Sequence, residues 1–114
     1  MTTITTKDIE LIDVPGTPGL VRVGDKHIAI APLCVDLGLF FNIEVNRLAQ
    51  HFLTRVELFD VEEAGGKVPV PAIHKDDLIV WLAWIGENIT ETRRPLLDAY
   101  RKGHAKALKD HFDK

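Results

Sequence analysis

The stretch Leu20-Val21-Arg22-Val23-Gly24-Asp25-Lys26-His27-Ile28-Ala29-Ile30-Ala31-Pro32-Leu33-Cys34 sets the fold class, because it passes from strand chemistry to helix chemistry without a linker. Gly24-Asp25 separates two runs rich in β-branched residues, the pattern of a hairpin whose turn needs positive φ. Pro32 has no N–H to give to a strand ladder but is tolerated in the first turn of a helix, so a helix is expected from there. Leu33, Cys34, Leu37 and Leu39 form its apolar stripe, and Gly38 is placed to stop it.

Working outward, Asp8 to Val14 partly alternates polar and apolar residues and reads as a strand. Pro15-Gly16 and Pro18-Gly19 then turn the chain. The polar residues 1–6 are expected to fray. Beyond Gly38, Asn42 is a candidate N-cap for a short helix to Gln50, with Ile43, Val45, Leu48 and Phe52 turned inward. Two short helices around a glycine fit either a helix-turn-helix outline or plain core packing. Val56 to Val61 and Val68 to Ile73 flank a second, acidic hairpin tip. Pro69 and Pro71 remove two N–H groups from the same edge of that strand, which restricts it to pairing fully on one side.

Asp76 and Asp77 suit the positive end of a helix dipole, and Leu78 to Ile85 is apolar around most of a helix, ending at Gly86. One of Trp81 and Trp84 is expected in the core and the other at an interface, with Trp84 the candidate anchor. The final helix is expected from Thr92 onward. Leu96, Tyr100, His104, Leu108 and Phe112 recur every four residues beside Leu97 and Ala107. A helix of about 20 residues is ~30 Å long. The seam is therefore expected to reach past its own core and serve oligomerisation. The fold class read from these elements is α+β: a small antiparallel sheet of hairpins, two short helices, one buried apolar helix and a long amphipathic helix. Together they make a single domain over residues 1–114.

Composition narrows function. The chain has 114 residues, net charge −3 and a single cysteine, Cys34, so an internal disulfide is excluded and a reducing cytoplasm fits best. Its longest apolar run, eight residues, falls short of the roughly 20 that cross a bilayer. The acidic balance leans against a dedicated DNA binder. His27, His51, His74, His104 and His111 show no metal-ligand spacing, and Glu62-Glu63 and Asp76-Asp77 are not placed as acid/base partners. No enzyme activity, cofactor or metal is therefore expected. His104 and His111, seven apart on the final helix, would suit a ligand at a symmetry axis or simply two half-exposed positions. Candidate partner-binding residues are Arg47, Arg55, Glu62, Glu63 and Trp84, together with Arg93, Arg94, Arg101, Lys102 and Lys106 of the final helix and its approach.

Several pieces in fixed order resemble the N-terminal domain of phage antirepressors of the P22 type, relatives of Bro-N-like viral domains. These are Ile28-Ala29-Ile30-Ala31-Pro32-Leu33-Cys34, Gly38-Leu39, Arg47-Leu48, Leu78-Ile79-Val80-Trp81-Leu82, Tyr100 and Ala107-Leu108-Lys109-Asp110-His111-Phe112. The resemblance covers roughly residues 8 to 113. It departs at Phe40-Phe41, where the family often has Asp-Trp, at Glu44, where it has glutamine, and at His74, where it has proline. The resemblance implies a regulator that binds a lysogeny repressor, often as an oligomer, and stops it holding its operator. A DNA-binding module using the basic face of the last helix, and a phage inhibitor of a host defence protein, are the alternatives.

Overall fold

The computed structural model describes residues 2–51 and 53–113. Among them, six strands form one sheet: β1 (Thr2–Thr5), β2 (Ile9–Ile12), β3 (Leu20–Val23), β4 (His27–Ala29), β5 (Val56–Glu63) and β6 (Gly66–His74). Their order is β1-β5-β6-β4-β3-β2, antiparallel except that β1 runs parallel to β5. Four α-helices complete the α+β fold: α1 (Ile30–Leu37), α2 (Phe41–Gln50), α3 (Leu78–Trp84) and α4 (Arg94–Phe112).

Thr2–Thr5, within the segment expected to fray, instead form a strand. Thr2–Thr5 pair with Phe59–Glu62, Ile4 packs half-buried under the sheet, and Thr2 Oγ1 donates to Glu57 Oε1 at 2.7 Å. Ladder bonds and one inward isoleucine offset the ordering of a polar segment. β1 and β2 lie at opposite edges of the sheet, yet only a three-residue 3-10 turn, Thr6–Asp8, joins them. In a flat sheet those edges would stand five spacings apart, ~24 Å at about 4.8 Å each. Four Cα steps of about 3.8 Å reach at most ~15 Å. The sheet therefore curls. Gly24, in the β3–β4 turn, donates its N–H to Asp8 O at 2.9 Å, which holds the turn against the link.

Curling gives the sheet two different faces. Side chains alternate, so Ile28 and Ile73 point one way while His27, Ala29, Ala72 and His74 point the other. The outer face, with Ile12, Leu20, Ile28 and Ile73, forms one core with all four helices. The inner face is filled by its own residues, Val23, Ala29, Phe59 and Ala72, with Ile4, Val21 and Val70 at the margin. Phe59 spans the hollow: a methyl group placed on Gly24 would meet its ring at 3.1 Å.

Local chemistry explains most element boundaries. Gly38, at φ +69°, ends α1 as expected. Ala64 and Gly65 alone turn β5 into β6, so both strands run further than hydropathy implied. Val23 pairs with His27, which makes the β3–β4 turn three residues long, not two. On β6, β4 covers only Ala72–His74, leaving Gly66–Pro71 open on that side, where Pro69 and Pro71 have no N–H to offer a further strand.

Three expectations are corrected. The cap of α2 is Phe40, not Asn42, and the helix turns Glu44 and Leu48 inward while Ile43 stays 54% exposed. The indole of Trp81 pulls Glu44 into the core, and that rotation carries Ile43 out. Phe52, expected inward, lies outside the described residues. The third correction is the reach of the α4 seam, which does not extend past the core. Leu97, Tyr100 and His104 are buried in the subunit's own core, and Leu96, Leu108 and Phe112 pack half-buried against it. The 19-residue helix is ~28 Å long. It lies within a molecule whose longest extent is 39 Å, so nothing need project.

At the rim of the inner cluster, His27 and His74 face each other across the β4–β6 ladder with rings 5.3 Å apart. Burial pushes both imidazoles below their ordinary pKa. For His27 the opposing pull of Glu57, 3.6 Å from Nε2, does not compensate. His74 Nδ1 accepts the Asp76 N–H at 3.1 Å, so its proton resides on Nε2. Both rings take up a proton less readily in the folded chain than in the unfolded one, so the unfolded chain binds more protons as pH falls through the usual imidazole range near ~6.5. Stability should therefore be constant above about pH 7.5 and decline from about pH 7 to pH 5. Urea midpoints measured across that range check this, and His74→Gln should flatten the decline.

Candidate interaction surface

Most of the basic residues singled out from sequence do structural work. The last carbonyls of an α-helix have no partner within it. Arg93 Nη1 donates to Asp36 O at 2.8 Å and Val35 O at 3.4 Å, closing the end of α1. Arg101 Nε and Nη2 donate to Leu82 O at 2.7 Å and Ala83 O at 3.3 Å, closing the end of α3, and Arg94 Nη2 donates to Gly86 O at 2.9 Å. Two glycines make room for two of these guanidinium groups. A methyl on Gly38 would lie 2.7 Å from Arg93 Nε, and one on Gly86 would lie 2.7 Å from Arg101 Nη2.

Two further arginines are held by acids. Arg55 forms a fork on Asp77, Nε to Oδ2 at 2.9 Å and Nη2 to Oδ1 at 3.1 Å. Its backbone N–H adds a third bond at 2.8 Å, tying the start of β5 to the start of α3. The Arg55 hydrogen bond holds the Asp77 carboxyl below the usual carboxylate range. Arg47 lies 3.4 Å from Glu44 Oε2 and 4.7 Å above the ring of Trp84, which also meets His51 at 4.6 Å. Trp81 is fully buried and donates its indole N–H to Glu44 Oε1 at 3.0 Å, while Trp84 stays half-buried.

Lys102 and Lys106 are exposed on α4 beside a groove of about 700 Å³ between that helix and Asp13–Gly16; Lys106 pairs with Asp110 at 3.0 Å. The two α4 histidines do not act together. His104 is buried with Nδ1 2.9 Å from Tyr100 O, and His111 Nε2 lies 3.3 Å from Glu10. Burial raises the Cys34 thiol to about 12, so it carries no nucleophilic thiolate near neutral pH.

The candidate residues are thus not gathered in one basic face. Arg47 and Trp84 sit together by α2, Arg55 serves the α3 start, and Arg93, Arg94 and Arg101 seal helix ends. Glu62 and Glu63 stand at the exposed tip of the β5–β6 hairpin, and their side chains make no hydrogen bond or ion pair to any described residue. Sequence reasoning missed a patch at the α1–α2 corner, where Val35 is 75% and Phe40 77% exposed. The doublet Phe40-Phe41 was its signal, since only Phe41 packs inward.

No family model matches the chain, and no curated protein or solved structure matches it either.

Arg101 and Lys102 are adjacent in sequence but opposite in consequence. Arg101→Ala should cost about 1–3 kcal/mol by stripping two helix-end carbonyls of their donor. Lys102→Ala should stay within about 0.5 kcal/mol. Chemical denaturation of the two variants reads the difference.

Proposed function

We propose that the chain is an antirepressor-like regulatory protein of phage or prophage type. It binds a basic, DNA-binding repressor by protein–protein contact and so takes that repressor off its operator. The single observation that carries this reading is the division of charge. The arginines that would grip phosphate are committed to helix ends and to internal acids, whereas Glu62 and Glu63 are unspent at the hairpin tip. An acidic projection steers towards a basic partner and competes with phosphate for the same cations. Exposed Leu58 and Val68 on the same hairpin add apolar contact. The order of motifs shared with antirepressor N-terminal domains supports the same reading. No catalytic step, cofactor or metal enters it. The site of action is the host cytoplasm, in keeping with one buried free cysteine and with the finding that no described helix is long and apolar enough to cross a membrane.

A second reading rests on Lys102 and Lys106, whose exposure beside the α4 groove would suit phosphate.

The test uses fluorescent operator DNA carrying bound lysogeny repressors, with the protein added and anisotropy followed. Release is expected for a responsive repressor, and the double change Glu62→Lys, Glu63→Lys should weaken it about tenfold or more. Lys102→Glu with Lys106→Glu should leave release intact. Salt-sensitive binding of the protein to the DNA alone, abolished by the lysine changes, would replace this reading with the second one.

A further inference from the structure

The imidazole of His104 is 6% exposed, yet only one of its two nitrogens is used within the fold. Nδ1 lies 2.9 Å from Tyr100 O and 3.2 Å from Arg101 O. A carbonyl can only accept, so Nδ1 carries the proton and Nε2 of the neutral ring is an acceptor. Nε2 has no hydrogen-bond partner among the described residues. The one fully enclosed side-chain nitrogen or oxygen there that lacks a partner is Arg22 Nε, so His104 Nε2 is reached from outside the core. Two open clefts between α3 and α4, about 360 Å³ each, supply that access, and both are bordered by His104 and Ile79. Ala105 and Leu108 continue the first; Leu82, Ala83 and Arg101 continue the second. Ile79 stands 57% exposed between them. Arg101 is held still, because its Nε and Nη2 are bonded to Leu82 O and Ala83 O. Lys75, paired with Asp76 at 2.8 Å, and Lys109 make a polar rim.

We propose that the α3–α4 groove receives a tryptophan or tyrosine side chain of another protein, whose N–H or O–H donates to His104 Nε2. Three features select that chemistry. A largely buried acceptor without a donor favours a group that brings one. Ile79, Leu82 and Leu108 favour a side chain that is otherwise hydrocarbon. A fixed guanidinium at the edge of the second cleft attracts the face of an aromatic ring. Serine or threonine would meet only the first of these, and phenylalanine only the other two. The clefts are open, so a free small molecule would be covered on one side alone, whereas a ring carried on a polypeptide is covered from the other side by its own chain. A second copy of this chain is not the source of the ring. Its tryptophans and tyrosine are Trp81 and Tyr100, both buried, and Trp84, half-buried with Arg47 above it. The groove shares no residue with the acidic hairpin and is a second contact surface, independent of the first.

The probe is N-acetyltryptophanamide, a single tryptophan with a peptide bond on either side, titrated into the full chain at mildly alkaline pH and followed by NMR. Saturable shifts are expected at the amides of Ala83 and Ala105 and at His104 Nε2. The analogue methylated on its indole nitrogen keeps the shape and loses the donor, so it should bind about fivefold or more weakly. Ile79→Asp, a change at an exposed position, should abolish the shifts and leave thermal melting unaltered. Absent shifts, or equal affinity for the two probes, overturns the proposal. Binding of free indole without binding of N-acetyltryptophanamide overturns it as well, by assigning the groove to a small molecule.

Discussion

A three-residue turn ties together the two outermost strands of a six-stranded sheet, and the rest of the architecture answers to that tether. Because the edges must approach at one end, the sheet bends into a trough. Its inner face is then covered by side chains reaching across the hollow, Phe59 above all, with no need for a second layer of helices. All four helices are thereby free to pack on the outer face and share one core with it. The hairpin of β5 and β6 outruns β4, which stops at Ala72–His74, whereas β1 pairs along β5 as far as Glu62, next to the strand's last residue.

The helices are short except for the last, and α4 acts as their clasp. Along its length and approach, Arg93 closes α1, Arg101 closes α3, and Arg94 holds the turn after α3. Tyr100 stands at the centre of this arrangement. Its buried hydroxyl lies 3.0 Å from Gly19 O and 3.1 Å from Asp36 Oδ2, joining α4 to the loop before β3 and to α1, and burial raises its pKa to about 12. This division of labour shapes what is left for partners. Cations consumed by carbonyl groups give little grip on phosphate, whereas the apolar α1–α2 corner and the acidic tip face solvent unspent.

Features set by local chemistry were legible in the sequence. Gly38 ends a helix because it accepts positive φ, Pro95 sits in the first turn of α4, and Pro69 and Pro71 mark a strand that one neighbour covers only in part. What depended on partners distant in the chain was not legible. The polar start of the chain becomes β1 only because β5, more than fifty residues away, offers an edge. Ile43 is exposed because Trp81 claims Glu44 from 37 positions away. The basic stripe on the last helix was visible, but which of its members would meet a helix end was not, since two glycines on other elements receive Arg93 and Arg101. The α4 seam is apolar, as its spacing implies, but it has no surplus. The full extent of the molecule, 39 Å along its longest axis, accommodates the helix.

The trough itself is most directly tested by NMR, through cross-relaxation between the Phe59 ring protons and the α-protons of Gly24. With β5 curled towards the β3–β4 turn, the ring is in contact with Gly24, so a strong cross-peak and a ring-current shift of one Gly24 α-proton are expected. A flat sheet would keep the residues apart, and a missing cross-peak with an unshifted Gly24 would contradict the curl and everything built on it.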